Sequence, residues 1–136
     1  MLENLLSEAG ATVILCANAG DGMGASLAAA VSASGNVDGW VIALADMPFI
    51  QPATIRAVAA ALADGASIAA PVLADGRRGH PVGFAAGWRD QLCALEGDSG
   101  ARRLLADNAE RLEAIRTADA GCVIDVDLPA DLLLPG

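Results

Sequence analysis

The sequence predicts an α/β fold: a mostly parallel sheet covered by helices, with one antiparallel excursion. Three observations carry this expectation. Short apolar runs rich in β-branched residues alternate with longer alanine-rich runs, which is the pattern of strand–helix–strand units. Hydrophobic residues make up 54% of the 136 residues, enough for one domain with a core, and aromatics only 3%, so packing rests on Ala, Leu, Val and Ile. An Asp75-Gly76 turn signal between two strand-like runs predicts the reversal.

The elements follow in order. Leu2 to Ala9 reads as the end of a helix stopped by Gly10, and Thr12 to Cys16 as a short buried strand. A glycine-rich turn, 18–24, leads into a helix from Ala25 to about Ser34, ended by Gly35 and Asn36. The run from Trp40 to Ala45, with Val41 to Leu44 at its centre, reads as a strand buried on both faces. Pro48 cannot donate to a ladder and biases Met47 toward an extended conformation. Pro52 suits the first turn of a helix over 53–64, with Gly65 as its C-terminal stop. Ser67 to Val72 is a third strand, and Pro81 to Phe84 the run that follows the reversal. Helical patterns cover 88–95 and 100–108, strand patterns 112–116 and 122–126, and a short helix is expected over 129–134. The opening helix has no preceding strand from which to cross over.

Composition excludes several classes. The net charge is −9 and all eight basic residues are arginine, so no broad basic face is available for nucleic acid. No apolar run approaches the ~20 residues of a membrane helix, and the N-terminus lacks the basic start of a secretory signal. A cytoplasmic protein is the expectation. Cys16, Cys93 and Cys122 are odd in number and form no Cys-x-x-Cys pair, so they read as reduced thiols.

Asp46 is the most informative residue. It stands at the carboxyl end of an expected central strand, where open α/β sheets bind ligands. Four further clusters could carry chemistry, each with a plain structural alternative. The segment containing Gly22, Met23, Gly24 and Ser26 is either a ligand loop before a helix N-terminus or an ordinary glycine-rich turn. Arg77, Arg78 and His80 form an anion cradle or a solvated hairpin tip. In the stretch from Glu96 to Arg102, Asp98 or Ser99 can simply cap the next helix, while Gly97 and Gly100 would let that helix meet a ligand. Asp125 and Asp127, alternating along a strand, share a face and are either solvated or metal-bound. Should that strand neighbour the one ending at Asp46, the carboxylates converge into an oxygen site suited to Mg²⁺.

These segments in this order resemble the MobA-like NTP transferase family, in its molybdenum cofactor cytidylyltransferase-like branch. The matching residues are Gly22-Met23-Gly24-Ala25-Ser26-Leu27, Leu44-Ala45-Asp46-Met47-Pro48, Arg78-Gly79-His80-Pro81-Val82, the stretch from Leu95 to Arg102, and the run from Asp125 to Asp131. The resemblance implies one three-layer α/β/α, Rossmann-like domain over 1–136 that joins a nucleoside monophosphate from CTP or GTP to a molybdopterin-type cofactor. It implies Mg²⁺ at Asp46 and Asp127, with Asp125 as second choice, as the catalytic acids. It implies nucleotide contacts by Gly22, Met23, Gly24 and Ser26, and pterin contacts by Arg78, His80, Gly97, Asp98, Gly100 and Arg102. The family opens with a strand and a glycine-rich Arg/Lys loop around the triphosphate; no such segment precedes the first helix here, and the chain contains no lysine. The chain is therefore expected to be N-terminally truncated by one βαβ unit, as a fragment or a short form, with catalysis by the chain alone in question.

Two alternatives accompany this reading. One is a non-catalytic module that binds a pterin, a nucleotide or a partner such as a molybdoenzyme. The other is a sugar- or alcohol-phosphate nucleotidyltransferase of the same fold. An uncovered sheet edge or apolar face predicts a homo-oligomer.

Overall fold

The computed structural model describes residues 2–16, 20, 22–98 and 100–130. They fall into two compact units, one formed by Met1–Asn36 with Arg89–Ala106 and the other by Val37–Trp88 with Asp107–Gly136.

In the first unit, helix α1 spans Leu2–Glu8 and α2 spans Met23–Ala33. Gly10 stops the first helical segment with a φ of 94°, in the left-handed region that favours glycine. Helix α4, Arg89–Cys93, packs on α2. The Arg89 guanidinium donates to the carbonyls of Val31 (3.2 Å) and Gly35, at the C-terminal end of α2. A cation there satisfies carbonyls the helix leaves open and complements its dipole. The short helix α5, Arg102–Asp107, completes the unit but for its last residue. Residues 12–16 do not form the expected buried strand: they take part in no described ladder, and Ile14 and Leu15 are 45% and 79% exposed. A β-branched run becomes a strand only where another strand accepts its hydrogen bonds, and no described strand does so here.

The second unit holds a four-stranded sheet of β1 (Gly39–Ile42), β2 (Ile68–Val72), β3 (Val82–Ala85) and β4 (Leu112–Arg116), in the order β1-β3-β2-β4. Strand β3 runs antiparallel to both β1 and β2, whereas β2 and β4 are parallel. The single reversal expected at Asp75-Gly76 is present. Because β3 inserts between β1 and β2, two of the three described ladders are antiparallel, and the sheet is mixed rather than mostly parallel. At the turn, Asp75 accepts from the Arg77 backbone N–H (3.0 Å) and pairs with its guanidinium (2.8 Å), while Gly76 supplies a φ of 89°. Those bonds from Arg77 hold the Asp75 carboxyl below its usual range.

Helix α3, Pro52–Ala63, lies against all four strands, with Pro52 in its first turn as expected. Val58, Ala61 and Ala69 form the shared core. Gly83 of β3 faces Val58 and Leu62 so closely that a Cβ would collide with both side chains. Phe84 meets Trp88 edge-to-face at 6.2 Å, and the Trp88 indole donates to Ser67 Oγ at 2.9 Å. Among the described residues no helix is long and apolar enough to cross a membrane.

Three further expectations need correction or fall outside view. Strand β1 ends at Ile42 and lies at an edge of the described sheet, so Asp46 sits in a turn beyond an edge strand rather than a central one. Residues 122–126 are not a strand; Ala120–Val123 form a 3₁₀ turn, and Ile124 leaves it in an extended conformation. The helix expected over 129–134 lies mostly outside the described residues.

Candidate functional site

In the second unit, two distant segments bring carboxylates together. Beyond β1 the chain turns on a Met47 N–H to Leu44 carbonyl bond of 3.2 Å, with Met47 buried and Asp46 exposed. From the other direction, the extended residues after the 3₁₀ turn pass beside Asp46, and the Val126 N–H donates to the Asp46 carbonyl at 2.6 Å. Asp125 and Asp127 flank that donor. One carboxylate oxygen from each of Asp46, Asp125 and Asp127 lies within 4.8 Å of the others, and all three side chains are exposed. The alternation expected of a strand is thus kept by extended backbone without strand pairing. Three hard oxygen donors with solvent at hand fit a Mg²⁺- or Mn²⁺-type ion, which retains water ligands; a soft or His/Cys-seeking metal has no cluster among the described residues.

Beside these acids lies a cavity of about 220 Å³ lined by Leu44, Met47, Arg78, His80, Cys122, Val123 and Asp125. Arg78 and His80 follow the β2–β3 turn. The Gly79 N–H donates to the Pro71 carbonyl and the His80 N–H to the Cys122 carbonyl, both at 2.8 Å. A side chain at Gly79 would collide with Cys122. Burial pulls the His80 pKa below its ordinary value, helped by the Arg78 charge and opposed by Asp125 and Asp46. Burial also pulls Arg78 down, and its Nη1 is a buried donor with no described acceptor. The sequence singled out Arg78 and His80 separately from the acids, and the structure brings them to the same wall.

The first unit gathers the other two motif segments. Gly22 precedes α2 with a φ of 111°, and a Cβ there would strike Asp98 and the Gly97 carbonyl. The Gly24 N–H donates to the Gly97 carbonyl at 2.8 Å, so this amide of the helix N-terminus is not left open for a ligand as the sequence suggested. Met23 packs at Gly100, and Ser26 is exposed on the next turn. Asp98 is not a helix cap, because α5 begins only at Arg102, which is itself exposed. Alongside runs a larger cavity of about 650 Å³, walled among the described residues by Ala25, Ala28, Ala29, Ser32 and the segment from Cys93 to Gly97, which includes the charged Glu96.

Sequence reasoning missed Asp119. It is 4% exposed, yet its carboxylate accepts from the Gln51 N–H (2.9 Å), the Thr54 hydroxyl (2.6 Å) and the Gly121 N–H (3.0 Å). The signal available was an Asp two residues before a glycine, an Asx-turn pattern. Its long-range partners left no trace in the sequence.

The second unit is thus a mixed α/β sheet domain that gathers three carboxylates beside a cavity lined by an arginine and a histidine, a set of groups that could hold a divalent ion. The chain belongs to the MobA-like NTP transferase domain family, whose model matches residues 1–129. That family is typically dependent on a divalent metal. Among solved structures, the chain is similar to Rv0371c from Mycobacterium tuberculosis H37Rv, with 31% identity and a TM-score of 0.64 over 80% of this chain and 56% of that one. It is also similar to the Rv0371c homologue from Mycobacterium sp. strain JC1, with 29% identity and a TM-score of 0.66 over 90% and 57%. A manganese complex of Rv0371c matches with 31% identity and a TM-score of 0.61 over 79% and 57%. This chain thus spans less than two thirds of the length of each. No curated protein matches it.

Proposed function

We propose that the chain is part of a divalent-metal-dependent nucleotidyltransferase that joins a nucleoside monophosphate from CTP or GTP to a molybdopterin-type cofactor. The observation that carries the reading is the meeting of Asp46, Asp125 and Asp127 within 4.8 Å from two remote segments. In the reaction, a terminal phosphate oxygen of the pterin attacks the α-phosphorus of the nucleotide, and the bond to pyrophosphate breaks. Asp46 and Asp127 would hold the ion, with Asp125 as a third ligand. A bound Mg²⁺ or Mn²⁺ would supply charge screening and in-line alignment of phosphate oxygens. The manganese complex of Rv0371c supports such an ion here.

The chain's own groups would mostly bind and orient. Arg78, with its unpartnered Nη1, is suited to a phosphate oxygen, and His80, held toward its neutral form, to a hydrogen bond. Gly22, Met23, Gly24 and Ser26 would contact the nucleotide, and Gly97, Asp98, Gly100 and Arg102 the pterin. The 650 Å³ cavity reaching Gly97 is of ligand size and supports acceptor binding in that unit. The exposed Leu2, Leu5, Ile14 and Leu15 support a homo-oligomer, which sedimentation at micromolar concentration tests.

The alternative is a module that binds without transferring. What favours it is that this sequence contains no lysine, so a triphosphate would be neutralised by the ion, by arginines, by helix N-termini or by groups outside this chain. Two measurements decide between them: calorimetry reads nucleotide binding, and pyrophosphate release with nucleotide, Mg²⁺ and a molybdopterin-type acceptor reads transfer, so heat without pyrophosphate release favours the module. Wild-type chain titrated with CTP or GTP in Mg²⁺ should give heat that Asp127→Asn loses. No heat with any nucleoside triphosphate, in the presence of metal, would favour the module.

A further inference from the structure

Three exposed carboxylates do not gather unaided, because like charges at such range repel. Something else must hold their backbones together, and Asp119 occupies the position to do so. One of its oxygens, Oδ2, takes the Gln51 N–H and the Thr54 hydroxyl at the start of α3, only a few residues after Asp46. The other, Oδ1, takes the Gly121 N–H of the 3₁₀ turn that leads into Asp125. The turn is closed by the Cys122 N–H on the Asp119 carbonyl (3.2 Å) and the Ile124 N–H on the Gly121 carbonyl (3.3 Å). Gly121 sits on the Phe49 carbonyl so tightly that no Cβ could be accommodated.

We propose that Asp119 is a positioning residue: its buried carboxylate clamps the segment after Asp46 to the turn before Asp125, and so sets the geometry of the acidic cluster. This rests on the metal reading above for its consequence, though not for its geometry. The clamp needs acceptors on both sides, so a carboxylate fits and a carboxamide does not. An Asn side chain would turn its NH₂ toward one set of donors and leave them unmatched. The Val126 bond to Asp46 is the last tie in the chain of contacts and the first that should loosen.

The test uses the full chain as wild type, Asp119→Asn and Thr54→Val. Two quantities are measured: Mn²⁺ affinity from the electron paramagnetic resonance signal of the free ion, and amide exchange at Val126 relative to Val58 in α3. Asp119→Asn should weaken Mn²⁺ binding at least tenfold and raise the Val126/Val58 exchange ratio at least tenfold. Thr54→Val should move both the same way by less. A purely structural role would lower overall stability and speed both amides together, leaving the ratio unchanged. A folded Asp119→Asn with both quantities within twofold of wild type overturns the proposal. Should wild type bind no Mn²⁺, the metal reading fails by itself, and the exchange ratio still decides for or against the clamp. Should Asp119→Asn not fold, Thr54→Val decides on the same ratio.

Discussion

Replacing Asp46 with Asn should stabilise the metal-free chain while weakening its grip on a divalent ion. At the 4.8 Å that bounds the cluster, two unit charges in bulk water repel by about 0.9 kcal/mol. Asp46 belongs to two such pairs, so neutralising it removes about 1.7 kcal/mol before screening, and more where the oxygens lie closer than that bound. All three carboxylates are exposed, and a Debye length of about 8 Å at physiological salt together with side-chain freedom brings the gain below about 1 kcal/mol. Asn keeps the shape of the side chain, and the carbonyl that accepts from Val126 belongs to the backbone, so the turn itself is undisturbed.

Denaturant unfolding in EDTA at low, physiological and 1 M salt measures the gain. It should be largest at low ionic strength and vanish at 1 M, where the Debye length falls to about 3 Å. In parallel, Mn²⁺ or Mg²⁺ affinity should fall at least tenfold, equivalent to about 1.4 kcal/mol. Opposite signs in the two assays are the mark of a site built for a ligand rather than for stability. A variant that is less stable without metal, or a gain that persists in 1 M salt, would refute the Coulombic argument. Unchanged metal affinity would remove Asp46 from the ligand set.

Three other outcomes follow from the same geometry. Cys122 is buried, and burial with the nearby Asp119 charge pushes its thiol up, so Ellman's reagent in the native state should modify Cys16 and Cys93 and reach Cys122 only on unfolding. Gly121→Ala would drive a methyl onto the Phe49 carbonyl, and thermal unfolding should show a loss of about 1–3 kcal/mol, as overpacking generally costs. His80 titrates lower in the folded chain than in the unfolded one, so the unfolded state binds the extra proton as pH falls below about 6.5. Stability is therefore lost from there down to the folded value, and in EDTA the melting temperature of His80→Gln should fall less than that of wild type between pH 7 and 5.5.

The parts of the fold legible in the sequence are those fixed by local chemistry. Pro52 starts a helix because its missing N–H costs nothing there, and Gly10 ends one because it tolerates a φ of 94°. The reversal between β2 and β3 was readable in Asp75-Gly76 because the side chain and the glycine together make the turn. What failed depended on partners. Residues 12–16 carry strand chemistry but no described neighbouring strand, and residues 122–126 carry it too, yet Asp119 and Gly121 impose a 3₁₀ turn at their start. Strand order was equally hidden: nothing local to Val82–Ala85 says that it inserts between β1 and β2 and makes the sheet mixed.

The acidic cluster shows why residue type and residue position carry different information. Aspartates at 46, 125 and 127 were legible as candidates, because an acid after an apolar run or within a strand pattern needs a reason. Their convergence was a conditional, dependent on two segments becoming neighbours through adjacent strands. They do become neighbours, by another route: the Val126 N–H reaches the Asp46 carbonyl, with neither residue in a strand. A backbone bond of that kind is silent in the sequence, since every residue but proline can make it. The part that is not silent is the buried carboxylate of Asp119, which contacts neither Asp46 nor Val126 in any hydrogen bond described and yet joins the two segments that carry them. A buried acid with three donors around it is costly to place and easy to break.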